Sequence, residues 1–323
     1  MKLKEISIEI TQQCPNYCIH CSSYSSWEQK QSMPYELICS VIKDAIELGA
    51  TKICISGGEP FLHPKLSEIV DCISGLGAKC VIYTSGIYYD GNTFQSLPLH
   101  VLMRIKERVE KIIINYEAAD SETYDTIMGT HCGGYVLMRQ SISLAVSMGI
   151  NVETHIVPMK INHQQIPLII QQCNDLGVTR VSLLRIVRHG RVLNNDELIF
   201  LTAEEEHQVV EKTRQIATDQ SMSIRFGIPF SNCSKSVSCN TGIIKLNIRY
   251  DGLVYPCEAF KNDLPQGFIT SRPESVYEKS LLEIYEESSY LKEIRQKLHD
   301  FQSVNTCERC MNQYYTNQKE IMQ

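Results

Sequence analysis

Residues 3 to 10, "LKEISIEI", alternate polar and apolar side chains with a period of two, the pattern of a strand with one face against a core. "PYELICSVIKDAIELG" then reads as a helix opening on Pro34 and closing at Gly49, and "TKICIS" as a second strand. The alternation continues through helix 64–75, strand 79–84, helix 97–107, strand 110–116, helix 134–148, strand 150–157, helix 163–176 and strand 178–184. Six strands alternating with helices predict parallel pairing through right-handed crossovers, in an open doubly wound sheet or a partial barrel. Either architecture gathers its chemistry at the C-terminal ends of the strands.

Beyond residue 186 the alternation stops. The pattern predicts a core over 1–190, a connecting segment over 191–235 with a helix near 202–219, and a cysteine-bearing unit over 236–323. Within that last unit "IIKLNIRYDGLVYPC" reads as a hairpin turning on Asp251-Gly252. An amphipathic helix is expected near 275–297, ahead of "CERC" at 307–310.

The chain has 323 residues, 43% of them apolar, enough for one large core and a smaller second one. No signal-peptide pattern opens it, and runs such as "IPLII" are too short to span a membrane, so a soluble cytoplasmic protein is expected. In a reducing compartment its fourteen cysteines point to metal ligation or catalysis rather than disulfides. Cys39, Cys54, Cys72, Cys80 and Cys173 stand singly in apolar patterns and read as small core residues. The net charge of -6 gives no general field for nucleic acid, and "RIVRHGR" is the only dense basic stretch.

"ITQQCPNYCIHCSS" places Cys14, Cys18 and Cys21 within eight positions, directly after the first strand. A closed zinc site takes four protein ligands, and a c-type haem takes a histidine directly after CxxC, whereas His20 precedes Cys21. Three thiolates suit three corners of a four-iron cube whose fourth iron stays open to an exogenous ligand. "SGGEP" follows the second strand, on the same sheet edge.

In these residues the chain resembles the radical S-adenosylmethionine (SAM) superfamily. Its CxxxCxΦC loop matches Cys14, Cys18, His20 and Cys21, and its GGE motif matches Gly57, Gly58 and Glu59. The resemblance implies an α/β fold, a partial (β/α)6 TIM-type barrel, with a [4Fe-4S] cluster that binds SAM. It further implies that a flavodoxin- or ferredoxin-like donor reduces the cluster. SAM is then cleaved to methionine and a 5′-deoxyadenosyl radical, which abstracts a substrate hydrogen.

By the same resemblance, Gly57 and Gly58 let backbone approach the methionyl ammonium, and His20 lies beside the adenine. Thr84, Ser85, Asn115 and Glu117 line the cofactor pocket or are simply polar strand ends; relatives often carry Asn at Ser85 and Ser-x-Asp at 115–117. Arg185 pairs with the SAM carboxylate or is a solvated surface residue. Asn162 matches a recurrent asparagine or caps the following helix.

Cys239, Cys257, Cys307 and Cys310 form C-x17-C-x49-C-x2-C, a pattern open to a structural zinc. It resembles a C-terminal α+β SPASM-like extension of the abbreviated twitch type, which implies one auxiliary [4Fe-4S] cluster. A full SPASM domain needs more than the five cysteines present from residue 233 onward, and Cys233 is the spare, exchangeable with Cys239 as ligand.

The resemblance predicts a radical SAM oxidoreductase that modifies a peptide, by crosslink, thioether or epimerisation. Dehydrogenation of a small alcohol or sugar-derived metabolite is the second reading, and a noncatalytic iron–sulfur scaffold the third. A first strand starting at residue 3 leaves no room for a leader-recognition domain, which favours a small substrate or a separate recognition protein. "ADSETYDTIMG" and "VPMKINHQQ" look most like the peptide-maturase branch. Cys132, in "MGTHCGGY", is either a hydrogen-atom donor or an unreactive loop thiol.

Overall fold

A computed structural model describes residues 2–130, 133–186, 189–217, 222–227, 239–261, 268–304, 310–312 and 314–315. Its strands are β1 (Glu5–Glu9), β2 (Lys52–Ser56), β3 (Lys79–Thr84), β4 (Ile87–Tyr89), β5 (Phe94–Ser96), β6 (Val109–Asn115), β7 (Val152–Ile156), β8 (Arg180–Leu183), β9 (Ser223–Phe226), β10 (Lys245–Ile248) and β11 (Val254–Tyr255). The helices are α1 (Tyr35–Glu47), α2 (Leu66–Gly75), α3 (Leu99–Ile105), α4 (Ser121–Met128), α5 (Gly134–Ser147), α6 (Ile166–Asp175), α7 (Asp196–Ile199), α8 (Ala203–Ala217), α9 (Leu281–Glu287) and α10 (Ser289–Gln302).

The period-two pattern of β1 buries Ile6 and Ile8 against the helical layer, and leaves Glu5, Ser7 and Glu9 on the opposite, inner face. The same division recurs around the sheet. Ile53, Ile55, Ile82, Ile112 and Ile114 join the large core shared with α1, α2 and α5, while Cys54, Val81 and Ile113 form a separate small cluster with Tyr83 inside the curve. Cys80 and Cys173 are fully buried, as expected of small hydrophobes; Cys39 and Cys72 are half-buried on α1 and α2.

Nine strands form one sheet in the order β11-β10-β1-β2-β3-β6-β7-β8-β9. All neighbours from β10 to β9 run parallel, and only β11 runs back beside β10, through the Asp251-Gly252 turn. The two outer strands, β11 and β9, are not paired with each other, so the barrel is a partial one. The six expected strands are all present, and the sheet extends beyond them at both edges. β9 adds a seventh parallel strand beside β8, and β10 pairs in parallel with β1, Ser7 opposite Asn247.

Two elements stand where the pattern predicts none, and one expectation needs correction. "ADSETYDTIMG" contains α4, opened by Asp120, whose side chain accepts a bond from the Thr123 amide, and closed at Gly129. The β4–β5 hairpin occupies the chain ahead of α3. The single helix near 275–297 is α9 and α10, divided at Ser288, which ends one helix and caps the next by accepting from the Leu291 amide at 3.3 Å. Among the described residues no helix is long and apolar enough to cross a membrane.

Candidate functional site

The cysteine loop leaves β1 at its C-terminal end, and the chain after β2 packs directly on its first residues. Gly58 N–H donates to Thr11 O at 2.6 Å and Glu59 N–H to Gln13 O at 2.8 Å. A Cβ on Gly58 would lie 2.1 Å from Gln13 O, and one on Gly57 2.4 Å from Thr11 O. The two glycines are therefore required by the approach of one backbone to another, before any ligand is considered.

Two further segments hold the loop. At the C-terminus of α4, the Met128 and Ile127 carbonyls accept from the Tyr17 and Ile19 amides, each at 2.9 Å. Opposite them the segment 189–195 lies across the loop. Arg191, buried to 5% exposure, donates from Nε to Cys18 O and from Nη2 to Ser25 O, both at 2.8 Å, and its guanidinium stacks 4.0 Å above the Tyr17 ring. Its amide donates to Cys21 O at 3.0 Å. Read as a sequence, Arg191 was only part of a basic stretch.

Cys14, Cys18 and Cys21 stand close enough to act on one another. Burial pushes the Cys14 and Cys18 thiols up, Cys18 and Glu59 raise Cys14 further, and Cys21 raises Cys18, while Arg191 pulls Cys18 down. Three neighbouring sulfurs, with the Cys14 and Cys18 thiols held up by burial and by the charges beside them, fit a cationic iron–sulfur group, which would hold them as thiolates.

The polar strand ends form two networks. Glu59, fully buried, accepts from Thr84 Oγ1 (2.7 Å), Ser85 Oγ (2.7 Å), Ser85 N (2.9 Å) and Phe61 N (3.2 Å), and so ties the ends of β2 and β3 together. The hydroxyl protons of Thr84 and Ser85 are both committed to it. The second network centres on Glu117, whose Oε2 accepts from Val157 N at 2.9 Å and whose Oε1 lies 3.4 Å from Asn115 Nδ2 and 3.7 Å from His20 Nε2. Burial lifts the Glu117 carboxyl to about 8 and lowers His20 to about 4, where the Arg191 charge also opposes protonation. Both side chains are neutral near pH 7, and His20 Nδ1 has no partner.

Asn162 does not cap the helix after it. Its Oδ1 accepts from Met159 N at 2.7 Å, and its Nδ2 donates to Glu117 O at 2.7 Å and Val157 O at 3.0 Å, so it binds the ends of β6 and β7. Arg185 has its Nε 3.4 Å from Glu206 Oε1 on α8.

In the tail, desolvation and the Glu258 charge push the Cys257 thiol up, and Cys310 and Cys239 raise it further, so these three sulfurs share one neighbourhood and suit a second cluster by the same chemistry. Cys307, Cys233 and Cys132 lie outside the described residues. Four residues after Cys257, the Lys261 ammonium reaches back to the barrel, 2.5 Å from Glu9 Oε1 and 2.8 Å from Ser23 Oγ. This contact between the two cysteine regions has no signal in the local sequence.

Comparison with known proteins follows the same division. The family profile described as the radical SAM superfamily matches residues 8–173, just over half of the chain, and one described as an iron–sulfur cluster-binding (SPASM) domain matches 239–311. A PqqA peptide cyclase of Rhizobium meliloti (strain 1021) is 26% identical over 309 residues, covering 93% of this chain and 78% of that protein. A probable GTP 3′,8-cyclase of Methanococcus maripaludis (strain C7) is 22% identical over 271 residues, covering 79% and 85%. Streptococcus suis SuiB bound to S-adenosylmethionine superposes with a TM-score of 0.74 at 15% identity, covering 96% of this chain and 72% of that one, and SuiB has also been solved with its precursor peptide SuiA.

Proposed function

Because the chain belongs to the radical SAM superfamily, we propose that it is an enzyme of peptide modification, acting on a side chain of a precursor peptide held at the barrel mouth. A [4Fe-4S] cluster, SAM and an auxiliary iron–sulfur centre in the SPASM region are its cofactors. When bound and reduced, they supply a 5′-deoxyadenosyl radical that removes a hydrogen atom from substrate.

The chain's own residues have distinct tasks. Cys14, Cys18 and Cys21 hold the barrel cluster, and Cys239, Cys257 and Cys310, with Cys307, hold the auxiliary one. His20, neutral and with a free Nδ1, faces the nucleoside as an uncharged polar ring. Glu117, Asn115 and Asn162 hold the strand ends that shape the pocket. Glu59, Thr84 and Ser85 act one step behind, by fixing the backbone after β2.

The observation that carries the peptide reading is similarity to a peptide cyclase along 93% of the chain. An oxidative outcome, a carbon–carbon or thioether crosslink, fits an auxiliary centre able to take up the substrate's second electron. A small-molecule substrate is the second reading, favoured by the GTP-cyclase relative. Anaerobic reconstitution with dithionite and SAM should release 5′-deoxyadenosine. Co-expression with short open reading frames encoded beside the gene should yield a peptide lighter by two hydrogens. If 5′-deoxyadenosine forms but no encoded peptide changes mass, while an added metabolite raises its yield, the small-molecule reading replaces this one.

A further inference from the structure

We infer that Arg191 is a positioning residue for the barrel cluster: it fixes the conformation of the cysteine loop from outside the motif, and its charge sets the ease with which the cluster takes up an electron. The inference rests on Cys14, Cys18 and Cys21 being the cluster ligands.

The geometry is that of a clamp. Nε and Nη2 of one rigid guanidinium bond two carbonyls seven residues apart in the loop, Cys18 O and Ser25 O. The backbone amide of the same residue bonds Cys21 O. Two of the three ligand cysteines are thus tied by their carbonyls to one arginine. Neighbouring residues fit the chain to this approach. Gly190, at φ +66°, lies where a Cβ would come 2.3 Å from Cys21 O. Asn195 Nδ2 donates to Arg191 O at 2.8 Å and lies 3.4 Å from Ile19 O.

A lysine could supply the charge, but it could neither bridge two carbonyls in one plane nor stack its head on Tyr17. The buried position matters as well. At 5% exposure the charge is poorly screened by water, and it is bonded to the backbone of Cys18, a ligand of a group that becomes more negative on reduction. A fixed cation there favours the reduced state.

The test has two arms. In metal-free protein, the rate of Cys18 alkylation, mapped by mass spectrometry, reports loop opening, with Cys39 on α1 as an internal control. R191M should raise the Cys18 rate at least about tenfold, the effect of losing a charged hydrogen bond, G190A should raise it by pushing the segment off Cys21 O, and both should leave Cys39 unchanged. In reconstituted protein, an EPR-monitored redox titration should place the barrel cluster of R191M at a more negative midpoint potential than wild type. R191K should fall between them, with a broadened EPR line from the loosened loop.

Unchanged alkylation in both R191M and G190A overturns the clamp. An unchanged midpoint potential in iron-replete R191M overturns the electrostatic role. Should R191M fail to fold by circular dichroism, R191K and G190A decide both points. If the wild-type triad holds no iron, the ligand assignment is what fails, and the metal-free arm still decides whether Arg191 holds the loop.

Discussion

Asn162 makes three hydrogen bonds to main-chain groups on two strand ends, so N162A leaves a buried amide and two buried carbonyls unmatched. We expect it to lower the stability of metal-free protein by about 2–4 kcal/mol, measured by urea unfolding. Glu117 gives a pH-dependent effect of known sign. The folded state keeps its proton up to about pH 8, whereas the unfolded chain releases it near 4.5, so the folded state binds more protons between these values. That contribution is complete at the acid end of the window and is lost as pH rises through about 8. E117Q, isosteric with the protonated acid, should flatten the fall in stability across the window; an equally steep slope in the variant would assign the effect elsewhere. The cysteine triad and Gly57-Gly58 were legible in the sequence because their spacing is local. Arg191 was not, since its partner Cys18 lies 173 residues away and only the closed barrel brings them together.

The parallel strands and their helices were legible because each strand carries apolar residues at alternate positions and each helix an apolar stripe. Elements without such a signature were missed. α4 has few apolar residues to mark a period, and its evidence is the cap at Asp120 and the glycine at its end. β9 is four residues long, with both faces partly exposed. Ser288 separates α9 from α10 where the amphipathic pattern alone suggested one helix. S288A should cost about 1 kcal/mol in urea unfolding, the usual loss of a serine cap. If the variant were as stable as wild type, the break between the helices would owe nothing to the cap. G58A acts at this scale too, because a Cβ 2.1 Å from Gln13 O must displace the cysteine loop from β2. We expect it to fold with markedly reduced iron uptake, read as iron per chain.

Across the whole molecule the barrel and tail are joined by sheet and by charge. Lys261 is the buried partner of Glu9, whose other oxygen, Oε2, has no bond. K261M should cost about 3–5 kcal/mol by leaving a buried carboxylate unpaired, and E9Q/K261M should recover most of it. A double variant no better than K261M would show that lysine packing, and not the charge pair, joins the two parts. Iron content separates the two cysteine regions: C14A/C18A/C21A should keep the tail's share of iron, and C239A/C257A the barrel's. The end of the strand–helix alternation near residue 186 was readable, whereas the continuation of the sheet into β9 and β10 was not. That β10 returns to pair with β1 was hidden because strand order is decided by packing between distant segments rather than by any local pattern.

The pairing of β10 with β1 bears on how the protein is made. β1 leads into the cysteine loop, yet one of its neighbours is supplied by residues 245–248, translated long after it. Until they emerge from the ribosome, one edge of β1 lacks its partner, and Glu9 and Ser23 wait for the Lys261 ammonium. Delivery of iron and sulfide to the nascent chain would meet an unfinished cradle. The topology therefore predicts closure of the sheet before metallation of the loop.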